Sequence, residues 1–311
     1  MKTFLVTGAS GYIGSHMCYE LKQSYPDCKI IAVDKVKKEK LNHLYDEFIL
    51  QDLARSNFWV MDRDKIDCVF HLAALASVPE GEANPTLYYQ NNLMSSMRLL
   101  DQAVFFGVRN FVFSSSCSVY GPAIEPIREI KPKNPISVYA KTKSIFEDML
   151  WASENEGNIH AGVLRYFNAA GRNVEADLYE EHDPETHLIP ILMKSNIAKV
   201  FGIDYNTPDG TAIRDYIHVI DICQAHIKAY EYMENNGKGI TCNIGTGKGY
   251  SVLEIIRIIE EMTGKTMKKE YFPRRSGDSE CLISNVQRMK NILTFEPQHD
   301  IFSIVRSMMD R

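Results

Sequence analysis

The chain has 311 residues, 45% of them hydrophobic and 24% charged, with a formal net charge of −5. That length suits one large α/β domain or two smaller ones with a sizeable core, and the acidic balance argues against a nucleic-acid surface. Seven scattered cysteines, odd in number and with no C-x-x-C pair, argue against a disulfide framework or a cysteine zinc site. They point to a reducing compartment, the cytoplasm, and no stretch approaches the ~18 apolar residues of a membrane span. MKTFLVTG has too few apolar residues for a signal-peptide core.

Short β-rich runs alternate with helical patterns along the first half. TFLVTG reads as a strand, followed by a helical run from Ile13, then strands at KIIAVD, FIL and CVFHLA. A long helix through Leu87 to Phe106 leads to NFVFSS, a helix from about Val138 to Ser153 and the strand AGVLRYFN. This alternation predicts an α/β fold with a Rossmann-type, doubly wound parallel sheet. After Asn168 the rhythm changes, and residues 171–212 read as loop-rich and polar. A helix follows RDYIHVID, then the strand ITCNIG, then a helix opened by the capping box Ser251-x-x-Glu254.

The first strand runs into TGASGYIGSH, with Gly8, Gly11 and Gly14 evenly spaced. Glycines at a strand-to-helix turn let the backbone approach a pyrophosphate, which then rests on the positive helix N-terminus. The second strand ends at Asp34, twenty residues past Gly14. A carboxylate there accepts from ribose hydroxyls and repels a 2′-phosphate, so the predicted cofactor is NAD rather than NADP. Lys35, Lys37 and Lys38 lie close enough to soften that discrimination. Asp52 follows the third strand, where it can meet the adenine edge, and the small residues of HLAA let a dinucleotide lie against the sheet.

YAKTK places Tyr139 and Lys143 on one helix face. An ammonium beside a phenol favours the phenolate and lowers its pKa from about 10. The serines of FSSSCSVYG end the fifth strand opposite that helix, where a hydroxyl can bond the substrate oxygen whose proton the tyrosine takes.

Taken in order, TGASGYIGSH, YYQNN, FSSSCSVYG, YAKTK, RYFNAAG, FGIDYNTPDGTAIRDYIHV and PRRSGD resemble the UDP-glucose (UDP-galactose) 4-epimerases, extended short-chain dehydrogenase/reductases. The resemblance implies a residue set as well as a reaction. Ser116 aligns with the catalytic Ser/Thr, Tyr139 with the acid/base and Lys143 with the lysine that holds the nicotinamide ribose. Further cofactor contacts fall on Tyr12, Ile13, Asp52, Leu53, Leu72, Ala73, Ala74, Asn91, Ser114 and Tyr166. For a UDP-sugar the resemblance implies Asn168, His187, Leu188, Phe201, Arg214, Arg275, Asp278 and Leu282. Residues 1–168 become an NAD-binding domain, to which a segment near 215–242 returns, and residues 169–311 a UDP-sugar domain. The implied chemistry is 4-epimerisation through a transient 4-keto sugar. A homodimer built on helices 85–106 and 138–153 is implied as well.

Several positions depart from the family pattern. Cys117 and Ser118 stand where sugar-nucleotide 4,6-dehydratases carry acidic groups, which disfavours elimination. Ala76 replaces a lysine common near the cofactor, and Leu282 replaces the tyrosine of the commoner glucose/galactose forms. UDP-N-acetylhexosamines, UDP-pentoses and UDP-uronates therefore remain open as substrates. A non-catalytic NAD-sensing protein is the rival from another class, disfavoured because Ser116, Tyr139 and Lys143 occur together. EHDPETHL, with His182, Asp183 and His187, reads as a substrate loop, and no metal is expected.

Overall fold

Apolar runs rich in Val, Ile and Phe form β1 (Thr3–Thr7), β2 (Lys29–Asp34), β3 (Glu47–Leu50), β4 (Cys68–His71), β5 (Asn110–Ser116) and β6 (His160–Tyr166). The computed structural model describes residues 1–55, 65–123, 125–181, 184–275 and 278–309. Between these strands run α1 (Tyr12–Ser24), α2 (Val78–Ala83), α3 (Pro85–Tyr88), α4 (Ser95–Phe105) and α5 (Val138–Asn155). The chain continues through β7 (Asn168–Ala170), α6 (Leu188–Lys194), β8 (Ile197–Phe201), β9 (Ile213–His218), α7 (Val219–Asn236) and β10 (Ile240–Ile244). It closes with β11 (Gly249–Ser251), α8 (Val252–Thr263), β12 (Lys268–Phe272), β13 (Cys281–Leu282), α9 (Gln287–Ile292) and α10 (Ile301–Met309).

The seven-stranded sheet has the order β3-β2-β1-β4-β5-β6-β10 and every neighbouring pair is parallel. From β1 the chain winds outward to β3, then crosses back to β4 on the other side of β1. The crevice at the ends of β1 and β4 is the switch point at which such sheets bind ligands. Apolar layers cover both faces: Met17, Leu21, Ile222 and Met233 from α1 and α7 on one, Leu99, Phe146 and Leu150 from α4 and α5 on the other. A separate core gathers Ile189, Leu192, Val200, Ile256, Ile259 and Ile304 around α6, α8 and α10. Beside it lie a small sheet of β7, β9, β11 and β13 and the parallel pair β8–β12.

The doubly wound α/β prediction holds, and two local expectations change. The long helix after Leu87 is interrupted by a π-helical stretch, Tyr89–Met94. There the Asn92 amide accepts from Leu75 N and donates to Leu75 O, both at 2.8 Å, pinning the widened turn to the loop after β4. Residues 171–212, read as loop, contain α6 and β8. Both elements are short and α6 holds Pro190, so neither shows a long periodic pattern. Among the described residues no helix is long and apolar enough to cross a membrane.

Candidate active site

A cleft of about 530 Å³ opens at the switch point. Gly8, Gly11, Tyr12, Ile13, Gly14, Asp34, Asp52, Leu53, Leu72, Ala73, Ala74, Asn91, Tyr139, Lys143 and Tyr166 all line it. Gly8 has φ +71°, and a Cβ there would sit 2.7 Å from Ala73 N. A Cβ on Gly14 would run into the Gly8 carbonyl, so the turn closes tightly only with glycines. No side chain caps the N-terminus of α1, which leaves its first amides facing the cleft. Asp34 accepts from Ser10 N at 3.0 Å and Val36 N at 3.1 Å, which fixes its carboxylate at the rim. A glycine cradle, an uncapped helix end and an acidic rim fit a dinucleotide. Of the neighbouring lysines, Lys38 pairs with Glu181 at 2.9 Å and Lys37 lies 3.7 Å from Glu39, so both face acids of their own.

At the other end of the cleft, β5 turns its three serines in alternate directions, as strand geometry requires. Ser114 is fully buried and is not among the residues lining the cleft: its hydroxyl lies 2.9 Å from His226 Nε2. Ser115 donates to buried Glu147, which also takes two hydrogen bonds from Arg165, at 2.9 and 2.6 Å. Ser116 reaches the cleft, whose wall it shares with Tyr139, and its hydroxyl accepts from the Ser118 hydroxyl at 3.0 Å. The Ser137 hydroxyl caps α5 by accepting from Ala140 N at 3.1 Å, which starts the helix one residue before Tyr139. Lys143 donates to the Ser114 carbonyl at 2.7 Å and lies 5.8 Å from the centre of the Tyr139 ring.

Burial sets the protonation of this pair. It pushes the Tyr139 phenol well above its ordinary value, with Tyr166 adding to the rise and Ser116 opposing it. It pulls Lys143 down to about 7, against Glu147, which holds it up. The expected lowering of the phenol by the lysine is thus outweighed within the chain, because both groups lose water together. Burial likewise pushes the Cys117 thiol up to about 12, which makes it a poor nucleophile.

The residues expected around a UDP-sugar fall in two places. Asn168 and His187 line the cleft. Leu188 opens α6 and packs on the small core. Phe201, Arg214, Arg275 and Asp278 form a cluster of their own. Arg275 lies 4.8 Å over the Phe201 ring and donates to Asp278 at 3.1 Å, and Arg214 lies 3.9 Å from the same carboxylate. Leu282 stands opposite Arg214 on β13 and packs with Cys117, Tyr120 and Phe167, so it bridges that cluster and the end of β5. His187 lies 2.5 Å from Glu180 and 3.4 Å from Glu185. Burial opposes its charge, but these two carboxylates outweigh it and push the imidazole up to about 10. Ligand atoms of the three lie within 4.8 Å of one another, a spacing a cation would tolerate and an imidazolium between carboxylates already explains. His182 and Asp183 of the same segment lie outside the described residues.

The NAD dependent epimerase/dehydratase family matches residues 4–245, from β1 to just past β10. The chain belongs to that family. This epimerase-family chain is an enzyme, and its similarity extends beyond the matched segment. The UDP-glucose 4-epimerase of Rhizobium leguminosarum bv. trifolii is 38% identical over 99% of this chain and 97% of its own length. Among solved structures, the UDP-glucose-4-epimerase of Stenotrophomonas maltophila with bound NAD and formylated UDP-arabinopyranose superposes with a TM-score of 0.91. It is 33% identical, covering 99% of this chain and 97% of that one. The UDP-Glc/GlcNAc 4-epimerase of Campylobacter jejuni gives 0.82 at 33% identity, covering 100% and 98%.

Sequence reasoning missed several residues of this epimerase-family site. Glu180 lines the cleft and pairs with His187, and Glu147, Arg165 and His226 brace the serine strand from behind. Glu180, Glu147 and His226 lie outside the quoted motifs, and Arg165 opens RYFNAAG without having been assigned a role. Glu147, four residues past Lys143 and one turn on along α5, carried a signal that helix periodicity could have found.

Proposed function

We propose that this chain is an NAD-dependent UDP-sugar 4-epimerase acting on UDP-glucose and UDP-galactose. The observation that carries the reading is the convergence of Ser116, Tyr139 and Lys143 on the wall of the cleft that begins at the Gly8–Gly14 turn. The roles follow from position. Gly8, Gly11 and Gly14 with the amides of α1 hold a pyrophosphate, Asp34 the adenosine ribose, Asp52 and Leu53 the adenine side, and Leu72–Ala74 with Asn91 the middle of the dinucleotide. Lys143 holds the nicotinamide ribose beside Tyr166, and Ser114 contributes through its carbonyl contact to Lys143. NAD held in this cleft would supply a hydride acceptor for C4 of the sugar and a donor to its opposite face. Tyr139 removes and restores the proton on the sugar O4, and Ser116 holds that oxygen. The uracil stacks at Phe201, Arg214 and Arg275 face the diphosphate with their forked donors, and Asp278 orients both arginines. Asn168, His187 and Leu188 complete the wall, and Leu282 borders the sugar.

Leucine at 282 favours a second substrate class, the UDP-N-acetylhexosamines, because it leaves room where a tyrosine ring would stand. Elimination is disfavoured by Cys117 and Ser118, neither of which is an acid at the sugar's far side. Residues 1–168 with 215–242 form the NAD-binding body, supported by the pairing of β10 with β6, and 169–311 otherwise form the UDP-sugar body. Two copies pair through α3–α5, where Leu87, Met94, Met97 and Ile145 lie exposed. Seven free cysteines favour the cytoplasm. The catalytic assignment is tested by Tyr139→Phe, which is expected to keep NAD and lose turnover by about 10²- to 10⁴-fold. Turnover within twofold of wild type would overturn it.

A further inference from the structure

His226 of α7 has no place in the cleft, yet it is fully buried and hydrogen-bonded at both ring nitrogens. Its Nδ1 lies 2.8 Å from the Ile222 carbonyl oxygen, which can only accept, so Nδ1 carries the proton of the neutral ring. Burial, with Lys143 adding to it, pulls the imidazole down to about 4, so Nε2 is a bare acceptor at neutral pH. The Ser114 hydroxyl, 2.9 Å away, therefore donates to Nε2. The Tyr166 ring, which lines the cleft, lies 6.3 Å from the His226 ring, centre to centre. The backbone carbonyl of Ser114 accepts from Lys143. Ser114 thus holds Lys143 of the cleft wall through its carbonyl, and the direction of its hydroxyl is dictated from behind by an imidazole that does not line the cleft and packs beside Tyr166, which does.

We propose that His226 is a positioning residue for the reaction, acting through Ser114 on Lys143 and through ring packing on Tyr166. The proposal rests on the epimerase reading above. With no acceptor at Nε2, the Ser114 hydroxyl loses the partner that fixes it and the Tyr166 ring loses the imidazole beside it, which shifts the wall next to Tyr139. The titratable groups facing this unit are Tyr139, Lys143 and Glu147 from α5, Tyr166 from β6, Cys117 after β5 and Cys223 from α7. Each of them keeps its identity when His226 alone is changed.

The test compares His226→Asn, whose amide is too short to reach Ser114, with His226→Gln, which offers an oxygen near the position of Nε2. With UDP-galactose as substrate, the Asn variant is expected to lose about 10- to 100-fold in kcat. Its KM should change little, because the Phe201–Arg275 cluster is untouched, and its kcat–pH profile should shift. The Gln variant is expected to recover most of the loss. Ser114→Ala, which keeps the backbone carbonyl that receives Lys143, should also lower kcat and covers the case in which the Asn variant does not fold. Wild-type kcat and pH profile in His226→Asn or in Ser114→Ala overturn the proposal, as does a Gln variant as impaired as the Asn variant. If the wild-type protein does not turn over UDP-galactose, the substrate reading fails on its own. NADH titration of the same proteins then decides the positioning role, with wild type and Gln expected to bind more tightly than Asn, and equal affinities contradicting it.

Discussion

Tyr139 and Lys143 lie one helical turn apart, and burial moves each toward its neutral form. A phenol poised for proton transfer near neutral pH needs positive charge close by, and a lysine brought down to about 7 supplies only part of it. NAD, positive at its nicotinamide ring, would be the natural second contributor, which ties the proposed acid/base role of Tyr139 to cofactor occupancy. Leu282, proposed to border the sugar, would act on a different quantity, the width of that site. Leu282→Tyr is expected to reduce turnover of UDP-N-acetylgalactosamine relative to UDP-galactose by about tenfold or more. An unchanged ratio, measured by competing the two substrates, rules Leu282 out as the wall.

At the scale of elements, helices α3–α5 carry two faces. One packs Leu99, Phe146 and Leu150 against the sheet, and the other leaves Leu87, Met94, Met97 and Ile145 in solvent. Replacing Met94 and Ile145 together by Glu is expected to convert the proposed dimer into a 35.5 kDa monomer by light scattering, because like charges would face each other across a two-fold interface. A wild-type protein already monomeric at micromolar concentration contradicts the pairing. These helices also show what sequence can and cannot carry. Tyr139 and Lys143 were legible because helical spacing is local, and the Gly8–Gly14 turn because glycine is needed where the backbone crowds itself. The π-helical stretch at Tyr89–Met94 was not legible, since it depends on Asn92 meeting Leu75, a contact made only by the folded chain. The alternation of Ser114, Ser115 and Ser116 was readable in principle, but their partners His226 and Glu147 come from α7 and α5. Phe201 and Arg275 meet across 74 residues of chain, and family resemblance, not spacing, brought them together in advance.

Across the whole molecule, His16, His71, His218 and His226 are all at least 98% buried and lowered, to about 4, 3, 3 and 4 respectively, chiefly by burial. A depressed folded pKa means that the unfolded chain takes up protons first, below about 6.5, so stability falls as pH drops from there toward 4. Each ring contributes up to about 1.4 kcal/mol per pH unit in that window. His187, raised to about 10, titrates above the window and does not offset the loss. Denaturant titrations at pH 7 and pH 5 are expected to give a lower midpoint at pH 5, and equal midpoints contradict neutral burial of these rings. The same fold brings a dinucleotide cleft, an acid/base pair and an arginine cluster into one chain, and the central claim is that together they invert C4 of a UDP-sugar. The most direct measurement is NMR of UDP-galactose incubated with purified protein and no added NAD. Conversion to UDP-glucose, approaching the same mixture from either sugar, is the predicted result. An unchanged spectrum, with and without added NAD, would contradict the account.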